Sequence, residues 1–452
     1  MENNSKTERL LKADSDHILH PYFTVGKHMN RVIESAHGIM VVDTDGKEYI
    51  DTSSQLMCVN LGHGNKKIQE AVKQAISKTD YITQYWGLCS ETTAELANKL
   101  AEITPETLSH FFFTSGGTES VESAAKMARA YWYNRGQGSK NKLISLYNSY
   151  HGLCGITLYL TRFYNGLPQL GYGPEPGGFR AIPPFYCYRC TYGLEYPGCN
   201  MMCARYLEQL ILAEGENSIA AFIAEPIQGS GGIIAPPPEY WPMVRKICTE
   251  HNVLLIADEV MTGFARTGKM FAVENFDLMP DIITMAKGIT SSYLPLGAVA
   301  ISDTVYAGLE GKTYTHGFTY SGHPICCAAA VATLDVYKEE NVVQNAATVG
   351  QHIWNRLNNE FLPLPCVGTL GGGKGMFHAI ELVGDKKSKK PLSMSAKDEL
   401  SKKLWDDGLS NRISGALNNR VIISPPCMMT NGEADKMLDI MKSRIAELKP
   451  EK

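Results

Sequence analysis

At 452 residues the chain exceeds what one simple core accommodates, and two or three lobes are expected. With 44% hydrophobic and 20% charged residues and a formal charge of -4, the balance is that of an ordinary globular protein. No basic face points to nucleic acid, no apolar run reaches membrane-spanning length, and Met1 to Asp16 lacks the apolar core of a signal peptide, so a cytoplasmic protein is expected.

From His20 to about Asn60 the pattern is an N-terminal arm and a hairpin, with strand-like runs on either side of the Asp45-Gly46 turn signal. Apolar Ile68, Val72, Ala75 and Ile76 predict a helix over Lys67 to Ser77, and Ala94, Ala97, Leu100 and Ala101 predict another over Glu91 to Ile103. From Phe111 strands and helices alternate. A strand at Phe111–Phe113 leads into a helix from Val121 to Tyr133, and buried strands are expected at Lys142–Leu146, Ala220–Ala224, Val253–Ala257, Asp281–Met285 and Ala298–Ile301. Such alternation implies an α/β fold with a mostly parallel sheet and ligands at its carboxyl edge. The Pro-, Gly- and Tyr-rich interval from Tyr164 to Pro197 reads as an ordered excursion. After about Ser321 a long helix opens a smaller α+β lobe.

Several side chains at predicted strand ends are candidates for chemistry. Gly116-Gly117-Thr118 lies between a strand and a helix, where backbone N–H groups and a hydroxyl can cradle a phosphate; a tight turn uses the same residues. Tyr150 follows a strand and could stack on a flat heterocycle or pack on the sheet edge. Glu225, in Glu225-Pro226-Ile227-Gln228-Gly229, leaves a carboxylate at the same edge. Asp258 and Lys287 each sit just past an apolar run, where a charge is seldom buried without a partner or a task. A lysine in a dry crevice can form a Schiff base, and an aspartate on a neighbouring strand can keep a pyridinium protonated, the pairing expected of a pyridoxal phosphate enzyme. Two unrelated solvated residues are the plainer alternative.

Four of the twelve cysteines fall in one segment, Cys187, Cys190, Cys199 and Cys203. The spacing could close a structural zinc site or hold an iron–sulfur cluster; free thiols or a conditional disulfide are the other readings. Without a secretory signal a disulfide framework is not expected.

The ordered motifs Ser115-Gly-Gly-Thr-Glu-Ser-Val-Glu, Tyr150-His-Gly, Ala224-Glu-Pro-Ile-Gln-Gly, Asp258-Glu-Val, Gly263-Phe-Ala-Arg-Thr-Gly and Ala286-Lys-Gly-Ile-Thr resemble those of class III (omega) aminotransferases, from about residue 20 to about 445. The resemblance implies pyridoxal phosphate fold type I. A large domain, residues 61–320 with a Cys-rich insertion at about 164–203, would carry a seven-stranded-type sheet flanked by helices. Residues 1–60 and 321–452 would supply an arm and a smaller α+β domain. It further implies that Lys287 bonds the cofactor and Asp258 pairs with its ring nitrogen. Tyr150 and Val260 would cover the ring faces, with Glu225 nearby. Gly116, Gly117 and Thr118 would bind the phosphate, joined by Thr319 of a neighbouring subunit in a homodimer with shared sites.

Arg412 lies close to the family's carboxylate-binding arginine, with Arg420 as competitor and Glu225 as a resting partner. Tyr22, Met57, Trp86 and Tyr150 could line the substrate pocket. Met57 stands where many omega-amino acid:pyruvate enzymes carry tryptophan, and Gly371-Gly-Gly-Lys-Gly-Met replaces a usual Arg-Gly element. The expected reaction moves an amino group from a primary amine or omega-amino acid (beta-alanine, 4-aminobutyrate, taurine or diamine class) to pyruvate or another small 2-oxo acid. Epimerisation, amino migration and decarboxylation on the same fold are the rivals, and a non-catalytic ligand- or metal-binding protein is the alternative of another class.

Overall fold

In the computed structural model, which describes residues 5–27, 31–163, 171–172, 175–415 and 417–451, seven short strands build the central sheet. Across the sheet they run His110–Thr114, Gly297–Ile301, Ile282–Met285, Leu254–Asp258, Ile219–Ala224, Lys142–Leu146 and Phe179–Ile182. Gly297–Ile301 is antiparallel to both neighbours, and the other pairings are parallel. Every residue of Ile219–Ala224, Leu254–Asp258, Ile282–Met285 and Gly297–Ile301 is buried. Covering on both faces explains why these strands read as unbroken apolar runs rather than as alternations. In register, Asp258 pairs with Thr284 and Ala257 with Ile283, so the two adjacent strands end together and bring Asp258 and Lys287 to one edge.

The helix Gly117–Asn134 buries Val121, Ala124, Ala125 and Ala128 in the core on one side of the sheet. Small alanines let the helix approach closely, and the Trp132 indole N–H donates to Ala220 O at 2.9 Å. Each fully buried large side chain here, Val121 or Leu143 among them, stabilises the fold by about 1.5–3 kcal/mol. The helix begins four residues before the predicted start, because glycine and threonine already carry its first turn.

The excursion is more than a loop. Its residues 179–182 form the edge strand parallel to Lys142–Leu146, and Met202–Glu214 forms a helix that sequence reading passed over. Residues 164–170 and 173–174 of the interval lie outside the described residues. Also unforeseen is the helix Lys6–His17, whose Ser5 hydroxyl accepts from Glu8 N while Glu8 reaches back to Ser5 N, a reciprocal cap.

Two smaller sheets draw on both ends of the chain. Ile33–His37, Met40–Asp43 and Glu48–Asp51 form a meander that Leu409–Ser410 extends in parallel. Its turn is held by Asp43 Oδ1, which accepts from Asp45 N and Lys47 N at 3.0 and 2.9 Å, with Gly46 at φ 81°. The second sheet contains Val367–Lys374, Phe377–Asp385, Arg420–Ile423, Ile413–Ser414 and the short Lys390–Pro391. Arg266 ties these parts to the central sheet. Its buried guanidinium donates to Ser424 O at 3.0 Å, Asn60 Oδ1 at 2.6 Å and Ser54 Oγ at 3.1 Å, with Pro425 O also in reach. Among the described residues no helix is long and apolar enough to cross a membrane.

Candidate active site

Asp258 closes its strand with only 2% of its surface exposed. Its Oδ1 accepts from Thr284 Oγ1 at 3.1 Å and from Val260 N at 3.0 Å, and its Oδ2 lies 2.6 Å from His151 Nδ1. His151 was not foreseen as part of the site, although it stood inside the Tyr150-His151-Gly152 motif. Its Nε2 is buried without a partner among the described residues. A bond from His151 N to Thr161 Oγ1 at 2.8 Å fixes the backbone that presents it.

Lys287 follows the neighbouring strand in the left-handed region, φ 50°, a conformation that costs a non-glycine residue about 1–2 kcal/mol. The surroundings enforce it: a Cβ on Gly288 would lie 2.5 Å from Asn60 Nδ2 and 2.7 Å from Phe264 Cβ, and Tyr337 O–H donates to Gly288 O at 2.9 Å. Burial lowers the pKa of the Lys287 amine, and Cys58, Asp258, Arg412 and Glu225 are near enough to act on it. A lysine so placed keeps a larger share of free amine near neutral pH than a surface lysine.

Beside this pair, Gly116 is extended and Gly117 opens the 18-residue helix with no side-chain cap. Uncapped N–H groups and the helix dipole favour an anion there. A Cβ on Gly117 would meet Val260 Cγ1 at 2.6 Å, and one on Gly152 would meet Thr118 Oγ1 at 2.6 Å. Gly116, Gly117, Thr118, Val260 and the residues after Tyr150 therefore crowd into one place.

Glu225 is buried and accepts from Gly229 N at 2.9 Å and Tyr150 N at 3.3 Å. Burial pushes its carboxyl up to about 7. Glu225 thus spends its oxygens on backbone N–H groups, and among the described residues no ion pair joins it to Arg412. The Arg412 guanidinium is close enough to Tyr150 and Tyr22 to feel both, and its Nη1 is buried without a partner among the described residues. Burial lowers the Arg412 pKa, while desolvation pushes the Tyr22 phenol up to about 12 even though 65% of that residue is exposed. Arg420 points elsewhere, into Glu381.

Two expectations need correction, Met57 in the pocket and a metal at the cysteines, while Trp86 and Thr319 stand apart from the site of their own chain. Met57 is only 1% exposed and packs with Ile227, Ile233 and Met261, so it backs the loop after Glu225 and presents no surface to a pocket. Trp86, at φ 64°, is 89% exposed beside Tyr85, Tyr314 and Gly317, on an outer groove rather than beside Arg412 of its own chain; Thr319 is exposed close by, its carbonyl accepting from Tyr81 O–H at 2.7 Å. Among the described residues no group of three or more His, Cys, Asp or Glu is arranged to hold a metal ion, so the zinc or iron–sulfur reading of Cys187, Cys190, Cys199 and Cys203 finds no support. All four are free thiols, and burial pushes Cys203 up to about 12.

The aminotransferase class-III family matches residues 22–445 of the chain. The chain belongs to the class III aminotransferases. It is 33% identical over 447 residues to the putrescine–pyruvate aminotransferase of Pseudomonas aeruginosa, covering 97% of this chain and 96% of that one. The structure is similar to an (S)-enantioselective omega-transaminase from Thermomicrobium roseum, with a TM-score of 0.93 and 36% identity over 98% of this chain and 99% of that one. An amine transaminase from an uncultivated Pseudomonas species, solved with pyridoxal phosphate bound, gives 0.90 and 33% over 95% and 98%.

Class III aminotransferases use pyridoxal phosphate to exchange an amino group between an amine and a 2-oxo acid. This aminotransferase has the chemistry that the cofactor requires. An uncapped helix end suits its phosphate, a buried and hydrogen-bonded carboxylate suits its ring nitrogen, and a half-buried lysine of lowered pKa suits its aldehyde.

Proposed function

We propose that the protein is an omega-aminotransferase that moves the amino group of a primary amine, with diamines and omega-amino acids as the leading class, to pyruvate or a similar small 2-oxo acid. The observation that carries the acceptor side is Arg412. Its Nη1 is buried and, among the described residues, unpartnered beside Tyr150 and Lys287, and a buried guanidinium without a carboxylate is costly unless a ligand supplies one. The putrescine–pyruvate activity of a relative supports the donor and acceptor classes.

In this reading Lys287 would be the residue that holds the cofactor at its aldehyde, and its Nζ would carry the proton at the substrate carbon. Asp258, held by His151, Thr284 and Val260 N, keeps the ring nitrogen cationic. Bound pyridoxal phosphate supplies the electron sink that makes that proton acidic. Gly116, Gly117 and Thr118 hold the phosphate, Tyr150 and Val260 cover the two ring faces, and Glu225 shapes the edge beside Tyr150. Tyr22 closes the pocket mouth. Arg412 grips the acceptor carboxylate and leaves room when the donor has none.

The exposed Trp86 and Thr319 support a homodimer in which each subunit completes the other's site. Twelve free thiols support a reducing, cytoplasmic setting. The deciding experiment is a panel of amines with pyruvate, read as alanine formed. Stoichiometric alanine from a diamine or omega-amino acid supports the proposal; turnover without alanine refutes it.

A further inference from the structure

Eight residues beyond Arg412, Arg420 is the hub of a buried polar cluster. It is 3% exposed and Glu381 is fully buried. Arg420 Nε and Nη2 donate to Glu381 Oε2 at 3.1 and 2.6 Å, and Nη1 donates to Gly232 O at 2.5 Å. Arg189 Nε, from the Cys-rich segment, donates to Glu381 Oε1 at 2.6 Å. Tyr186 O–H also donates to Glu381, and the Arg420 guanidinium lies 4.7 Å over the Tyr186 ring.

Two glycines make room for the arginine, and a third lies at ordinary contact distance. A Cβ on Gly232 would lie 2.4 Å from Arg420 Cδ, one on Gly371 2.5 Å from Arg420 Nη1, and one on Gly415 3.4 Å from Arg420 Cδ. Gly371 belongs to the glycine run that departs from the family's usual Arg-Gly.

Both substrate-side elements hang on this cluster. Arg420 begins the strand against which Ile413–Ser414 pairs, and Ile422 N donates to Arg412 O at 2.9 Å, so its strand fixes the backbone that carries Arg412. Gly232, whose carbonyl Arg420 binds, sits in the loop that closes back through Gly229 N onto Glu225.

We propose that Arg420, clamped by Glu381 and braced by Arg189, is a positioning residue that sets the hold of Arg412 on the substrate carboxylate. This rests on the reading that Arg412 binds that carboxylate. Arg189 reaches the cluster from the Cys-rich segment, which gives that segment a part in acceptor recognition without any metal.

The test measures the two half-reactions of the holoenzyme separately, through cofactor absorbance, with pyruvate and with a carboxylate-free monoamine. In Arg420→Lys the single ammonium cannot hold Glu381 and Gly232 O together, and the Michaelis constant for pyruvate should rise about tenfold while that for the monoamine stays within about twofold. Arg189→Met, at a side chain that is 21% exposed, should shift pyruvate in the same direction and decides the matter if Arg420→Lys fails to fold. Equal shifts for both substrates, or none, overturn the proposal. Arg412→Ala run alongside separates the two readings: if it is selective for pyruvate and the Arg420 and Arg189 variants are not, positioning alone is refuted. If Arg412→Ala shows no selectivity, the carboxylate reading fails and positioning falls with it.

Discussion

His151 Nδ1 lies 2.6 Å from Asp258 Oδ2, and both side chains are buried. The imidazole therefore fixes the carboxylate's second oxygen while Thr284 and Val260 N fix the first. An aspartate restrained at both oxygens is aimed before any ligand arrives, which is what electrostatic preorganisation requires.

Asp258→Asn removes the charge and should lower turnover by about 10²–10³-fold. His151→Ala leaves the Thr284 and Val260 bonds in place, so its effect on turnover should be smaller, with a loss of about 1–3 kcal/mol in stability from the broken buried bond. Steady-state rates and denaturant melts of both variants check this. A larger rate loss in His151→Ala would move the essential role to the imidazole.

Lys287→Ala should abolish the absorbance band of lysine-bound cofactor and lower turnover by about 10³-fold or more, since both bonding and proton transfer are lost. Removing the left-handed lysine leaves the strand before it untouched, so far-ultraviolet circular dichroism should match wild type. Full activity in this variant would exclude the assignment.

Glu225 gives a pH signature. Burial holds its carboxyl at about 7, against 4.5 for an ordinary glutamate. The native fold keeps this proton where the unfolded chain has released it, so the linked stability is complete below pH 4.5 and is lost as pH rises through 7. The span is at most about 3 kcal/mol. Thermal melts of the cofactor-free protein from pH 4.5 to 8 should fall more steeply for wild type than for Glu225→Gln; parallel curves would show that the carboxyl titrates normally.

Gly117→Ala would push a methyl group into Val260, whose Cγ1 stands 2.6 Å from the new carbon. Overpacking of this kind costs about 1–3 kcal/mol, and the strain falls on the proposed phosphate cradle. Cofactor affinity, measured by absorbance titration of the apoprotein, should drop about tenfold or more, whereas Gly432→Ala, in open space and without a left-handed backbone, should not change it.

Asp258 and Lys287 were legible because each follows a local run whose burial pattern is written in consecutive residues. His151 was not, since nothing local says which way an imidazole after a strand will face. The edge strand Phe179–Ile182 hid among prolines and glycines, and only pairing with Lys142–Leu146 makes it a strand. Met57 and Trp86 both take positive φ, at 55° and 64°, which turns one inward and the other outward against the pattern of their neighbours. Arg412 and Arg420 looked equivalent in sequence. What separates them is Glu381, fully buried on the adjoining strand, which claims Arg420, while Arg412 Nη1 has no partner among the described residues.

The parallel pairing of Leu409–Ser410 with Glu48–Asp51 sets a timetable for biosynthesis. Thr52 donates to Ser410 O across 358 positions, so this hairpin waits for a segment synthesised much later. Until then its rim is open to other chains, and a truncation before residue 408 would leave it open for good.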